Sequence, residues 1–123
     1  MPRSLNDLRD DAMRIATEHG FTDASVPEDL CLIHSELSEA LEDHRDGRKP
    51  NEVYYRFPNG STWSHPTDAS GALLKPAGIP SEIADVIIRA LHFCGKHGID
   101  IEQAVTEKMR FNASRPHKHN KII

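Results

Sequence analysis

The sequence predicts an all-α fold of four helices with one long irregular excursion between the second and third. Three observations carry this. Apolar residues recur at three- and four-residue spacing in four stretches. Each stretch opens on a capping residue or a proline and is followed by a glycine or proline. Between the second and third, residues 47–79 hold four prolines (Pro50, Pro58, Pro66, Pro76) and four glycines (Gly47, Gly60, Gly71, Gly78), which excludes a long helix there.

The first helix is expected over about residues 5–19, with Ser4 as N-cap, Asp7 in the first turn and Gly20 as the stop. Leu5, Leu8, Ala12, Ile15 and Ala16 share its apolar face. The second is expected from Pro27 to about Arg45. Proline suits the first helical position, and Glu28 and Asp29 suit the positive end of the helix dipole. Leu30, Ile33, Leu37, Ala40 and Leu41 form its apolar stripe. In the excursion, residues 53–57 are strand formers, Asn59-Gly60 is a hairpin turn signal and residues 61–63 can return; Pro58 weakens this short hairpin. The third helix is expected from Pro80 or Ser81 to near Lys96, burying Ile83, Val86, Ile87, Ala90, Leu91 and Cys94. The fourth starts on Asp100 with Gln103 three residues on, a capping-box arrangement, buries Ile101, Ala104, Val105 and Met109, and ends before Pro116. Residues 116–123 read as a basic tail. Four helices, paired two and two, describe a four-helix bundle.

The length of 123 residues is that of a single domain, able to bury a core without disulfides or a structural metal. A net charge of −4 argues against a nucleic-acid partner bound through bulk charge. The charge is uneven: residues 28–46 carry seven acids and one base, and residues 108–121 carry five Lys or Arg and no acid. Such zones can serve a metal and a phosphate, although charge runs are more often solvated faces. Cys31 and Cys94 lie among apolar residues without zinc-ligand spacing. Buried free thiols in a reducing cytoplasm are the simplest reading, while a disulfide between them stays open. The N-terminal residues hold no apolar signal region, and no apolar run approaches membrane-spanning length.

Four carboxylates carry the chemistry. Residues three apart on a helix are separated by about 60° around the axis and ~4.5 Å along it. Glu36 and Glu39 therefore share a face of the second helix, and Glu82 and Asp85 share a face of the third. If the helices pack side by side, four carboxylates converge. Without a cation they would repel and be costly to desolvate. A divalent ion removes that objection, and hard oxygen ligands favour magnesium, with manganese as a substitute. Either pair alone is the ordinary face of a soluble helix, but both fall beside apolar stripes. A di-iron centre would need Glu-x-x-His, and none of the eight histidines lies three residues after a glutamate.

The sequence Glu36-Leu-Ser-Glu39 followed by Glu82-Ile-Ala-Asp85 resembles the paired motif of the MazG-like all-α nucleotide pyrophosphohydrolases. Residues 32–42 resemble that family's second-helix segment and residues 80–89 its third. Gly98-Ile-Asp-Ile-Glu102 and the run from Lys108 through Asn112 and Arg115 to Lys118 and His119 resemble its closing helix and tail. The resemblance covers roughly residues 28–46 and 76–121. It implies an all-α dimer or dimer of dimers that hydrolyses a nucleoside triphosphate to the monophosphate and pyrophosphate with magnesium. It makes Glu36, Glu39, Glu82 and Asp85 metal ligands, and Lys108, Asn112, Arg115 and Lys118 phosphate contacts. The chain departs from the compact members in the length of residues 47–79, which bears on the substrate more than on the metal site.

On this reading the carboxylates hold magnesium, and Glu39 can instead orient or deprotonate the attacking water. Lys108 and Arg115 stabilise the pyrophosphate leaving group, and Asn112 donates to a phosphate oxygen. Arg89, one and two turns beyond Asp85 and Glu82, reads as their structural counter-ion. His34 and His92 read as helix histidines satisfied by neighbours. Tyr54, Tyr55, Phe57 and Trp63 can stack on a base or pack on the helices. Two alternatives stand beside the triphosphate hydrolase. One is a relative acting on a deoxyuridine nucleotide or phosphoribosyl-ATP; the other is a non-catalytic helical dimerisation module.

Overall fold

The structure is a computed structural model that describes residues 3–116. Lys118 and the rest of the basic tail beyond Pro116 lie outside the described residues. The fold is mainly α, with a small sheet: α1 (Leu5–Glu18), α2 (Val26–Arg45), β1 (Tyr54–Arg56), β2 (Thr62–Trp63), β3 (Lys75–Ala77), α3 (Ile79–Lys96) and α4 (Ile101–Ser114). Among the described residues no helix is long and apolar enough to cross a membrane.

The helix starts are set by short side chains that accept from orphan backbone donors. Ser4 accepts from the Asp7 amide and Asp7 returns the bond, a closed capping box. Ser25 and Glu28 form a second box, so α2 begins one residue earlier than Pro27 alone suggests. Asp100 caps α4 through the Gln103 amide.

Two compact units make up the chain: residues 1–22 with 91–123, and residues 23–90. In the first, the N-termini of α1 and α4 meet. Glu102 accepts from the Leu5 amide at 3.0 Å, Asn6 donates to Asp100 at 3.0 Å, and Arg9 donates to the Ile99 carbonyl at 2.8 Å. Ala16, Leu91 and Cys94 are buried there. Gly95 faces Met13 so closely that an added Cβ would lie 2.8 Å from the Met13 Cβ.

In the second unit, residues 47–79 fold into a three-stranded antiparallel sheet in the order β2-β1-β3, one strand more than the local strand signals indicate. Pro76 sits in β3, an edge strand, where its missing N–H costs no central ladder bond. Tyr54, Leu74 and Ala77 are buried, as is Ala40 of α2. The expected apolar stripes are only partly covered. Leu30, Leu37, Leu41 and Ile87 are each 46–50% exposed. Cys31 is exposed as well, contrary to the reading of both thiols as buried, and both cysteines are free.

Gly78 joins β3 to α3 at φ +103°, a conformation that L side chains rarely adopt. A Cβ there would sit 2.5 Å from the Glu52 carbonyl oxygen and 3.4 Å from the Tyr54 ring. Gly78→Ala should therefore cost about 2–4 kcal/mol in urea unfolding. Gly60→Ala, also at positive φ but facing open space, should cost nearer 1 kcal/mol. Equal costs would show that the Gly78 contact does not constrain the joint.

Candidate metal centre

Glu36 projects from the middle of α2, Glu82 and Asp85 from the first two turns of α3. One carboxylate oxygen from each lies within 4.8 Å of the other two. All three belong to the unit of residues 23–90. Oxygens on opposite sides of a magnesium ion are about 4.2 Å apart, so small side-chain movements would bring the three into its shell. Glu39, one turn on from Glu36, is exposed and stands at the rim of this group. The helical spacing thus brings three of the four expected carboxylates to one point and leaves the fourth beside it.

Glu36 is the most constrained member. It is only 7% exposed. Its Oε1 accepts from Arg89 Nε at 3.0 Å. Its Oε2 is buried and has no hydrogen-bond donor. The nearby carboxyls of Glu39 and Glu82 can donate to it only when protonated. Burial alone would raise the Glu36 carboxyl. The Arg89 guanidinium, helped by hydrogen bonding with Glu39 and Glu82, outweighs burial and holds it below the usual carboxylate range. Glu82 is affected the other way: burial, then the carboxyls of Glu36 and Glu39, push it up to about 7. Asp85 is raised by burial and by the charge of Glu36, with Arg89 and Lys75 opposing.

A buried carboxylate oxygen without a donor, on a residue grouped with two carboxyls driven toward neutrality, is what a cation would relieve. The donor set is all oxygen, which fits a hard divalent ion such as magnesium or manganese.

The other expected residues are placed as follows. Lys108 and Arg115 both lie 5.8 Å from the centre of the Phe111 ring on α4. The Asn112 Oδ1 between them is buried without a hydrogen-bond partner. Arg89 pairs across the helices with Glu36 and not chiefly with its own helix's acids. Among the aromatics, Tyr54 is buried beneath the Arg48 guanidinium at 3.9 Å. Trp63 is 44% exposed and packs on Phe57 and His65. A cavity of about 390 Å³, whose lining includes Asn6, Asp100, Glu102 and Arg110, contains none of the expected site residues. One residue at the cluster was missed from sequence: Lys75, whose charge reaches Asp85 from the excursion. Three residues of Lys-Pro-Ala carry no periodicity that could have flagged it.

No protein-family model, no characterised protein and no solved structure matches the chain.

The carboxyl shifts make stability depend on pH. Glu82 binds its proton more tightly in the folded chain than at its ordinary value of 4.5, so folding loses free energy as pH rises from there to about 7. Asp85 has the same sign. Glu36 acts oppositely, but its contribution is already complete above its ordinary value. The melting temperature of metal-free protein should fall as pH rises through this window. Glu82→Gln should flatten the fall, and magnesium should stabilise most at the alkaline end. A melting temperature that rises with pH would contradict the crowding of carboxylates.

Proposed function

We propose that the chain is a magnesium-dependent pyrophosphohydrolase that cleaves a nucleoside or deoxynucleoside triphosphate to the monophosphate and pyrophosphate. The observation that carries this reading is the Glu36 carboxylate, grouped through one of its oxygens with Glu82 and Asp85 and buried with its Oε2 bare of donors. The resemblance of the Glu36–Glu39 and Glu82–Asp85 motifs to MazG-like enzymes supplies the reaction class.

Glu36, Glu82 and Asp85 would hold the ion, with Glu39 as a fourth ligand or as the group that orients water. Bound magnesium supplies charge neutralisation at phosphate oxygens and a more acidic water. The remaining work falls to the chain. Arg89 keeps Glu36 ionised and fixed in position. Glu39, exposed beside Glu36, would orient the attacking water or take its proton. By the same resemblance Lys108, Arg115, Asn112 and Lys118 are the candidates for phosphate contact; the first three belong to the other compact unit, and Lys118 lies outside the described residues. A deoxyuridine nucleotide or phosphoribosyl-ATP would satisfy the same cluster, so the base and sugar are decided by a substrate panel. A purely structural helical module gains nothing from burying a carboxylate oxygen that has no donor.

The same proposal includes self-association. Leu30, Leu37 and Leu41 of α2 and Ile83 and Ile87 of α3 are exposed, more apolar side chain than a solvated face normally carries. A homodimer or homotetramer would cover them. Sedimentation equilibrium should return a multiple of 13.8 kDa, and a monomer at micromolar concentration would remove this part.

The direct test is pyrophosphate release from a panel of nucleotides with and without magnesium. Glu36→Gln and Asp85→Asn should each lower kcat by more than the ~10–100-fold typical for losing an outer-shell partner of a metal. Both should also lose the rise in melting temperature that magnesium gives the wild type. Full activity in both variants would remove the site.

A further inference from the structure

On β1 and β3, Arg56 and Lys75 stand directly opposite one another in the antiparallel register. Cross-strand partners share one face of a sheet, and like charges in that position repel. Tyr54, two residues before Arg56, lies on the same face. Nearby, Arg48 stacks on the Tyr54 ring and its charge is taken up by Glu52 at 2.7 Å. Arg56 and Lys75 have no such acid: among the described residues neither is in an ion pair. Two cations side by side without an ion-pair partner repel, and an anion between them relieves that repulsion.

The Arg56 guanidinium is held in place. It donates to the Gly60 carbonyl at 3.3 Å and to the Tyr54 hydroxyl at 3.1 Å. Arginine has five donors, so others stay available to a ligand. Lys75 is exposed, at the start of β3.

The joint between β3 and α3 fixes this face relative to the carboxylates. Gly78 is pressed against the Glu52 carbonyl and the Tyr54 ring, and Ser81 Oγ donates to the Pro76 carbonyl at 3.2 Å. Glu82 follows four residues after Gly78 and donates its amide to the Gly78 carbonyl at 3.1 Å. The strand bearing Lys75 and the helix bearing Glu82 and Asp85 are therefore one braced piece. The electrostatic reach of Lys75 to Asp85 agrees with that arrangement.

We propose that Arg56 and Lys75 form a phosphate-binding pair on the sheet that engages the pyrophosphoryl group of a nucleotide whose other oxygens meet the metal held by Glu36, Glu82 and Asp85. The pair gives residues 47–79 a function in substrate binding. It rests on the reading of the carboxylate cluster as a nucleotide-hydrolysing centre. Repulsion between the two cations is relieved when a phosphate sits between them, so anion binding and the stability of this strand pairing reinforce each other.

Calorimetric titration of the full chain with pyrophosphate, with and without magnesium, tests the pair. Lys75→Gln and Arg56→Gln should each weaken binding about 10- to 100-fold, the loss expected for one charge-assisted contact. Lys75→Arg should retain most of the affinity. Lys49→Gln, which removes one positive charge from the same excursion, should bind like the wild type. Circular dichroism melts establish that each variant is folded. Binding by Lys75→Gln and Arg56→Gln within twofold of wild type overturns the proposal, as does wild-type protein that does not bind pyrophosphate under either condition. The hydrolytic reading fails separately: if wild type binds pyrophosphate through the pair without magnesium but releases none from any triphosphate, the cluster is no hydrolase centre and the anion site stands.

Discussion

The Glu36 carboxylate is held almost out of water between one cation and a crowd of its own kind. Arg89 reaches it from α3 at 3.0 Å, and that single bond is the positive charge that keeps Glu36 ionised against the cost of burial. Everything else at the cluster follows from this constraint. Burial, reinforced by the Glu36 carboxyl beside them, drives Glu82 toward neutrality and raises Asp85 with it. Only one Glu36 oxygen is satisfied, and the other is buried with nothing to accept from. An arrangement of this kind is poor at stabilising a fold and well suited to holding a divalent ion. That asymmetry separates it from the surface ion pairs elsewhere in the chain, such as Arg14 with Glu18 and Arg45 with Glu42, which are exposed and worth little.

Much of this was legible in the sequence, for a physical reason. The two acidic pairs sit at i and i+3 within apolar stripes, and helical geometry alone puts each pair on one face. The helix spans were legible too, because capping and periodicity agree: Ser4, Asp100 and Gly20 mark ends that the backbone uses. The second helix start was displaced by one residue because Pro27 is a louder signal than Ser25, although the Ser25–Glu28 box sets the boundary. Spacing on its own helix points Arg89 to Asp85 and Glu82; its charge does act on Asp85, while its ion pair is with Glu36. Which side chain it meets across the gap depends on how α2 and α3 are rotated, and no local pattern carries that.

The sheet was half visible. Strand formers around Tyr54 and the Asn59-Gly60 turn announce β1 and β2, and the structure adds β3 from Lys75-Pro76-Ala77. A three-residue edge strand with a central proline has neither alternation nor propensity; it exists because Tyr54 and Leu74 are buried around it and Gly78 allows the close turn into α3. Tertiary packing made that strand, and with it came Lys75, invisible as a site residue in sequence. The apolar stripes show the opposite case. Their period was plain, but period does not say what covers a face, and Leu30, Leu37, Leu41 and Ile87 are left open in the single chain.

Glu36, Glu82 and Asp85 are proposed to hold a hard divalent cation. The most direct measurement is anomalous scattering from crystals soaked in manganese. The account predicts a peak within about 2.0–2.3 Å of oxygens from all three residues, with Glu36 Oε2 among them and Arg89 still on Oε1. A map without a peak there at millimolar manganese, with Glu36 Oε2 satisfied by a protein donor, would contradict it.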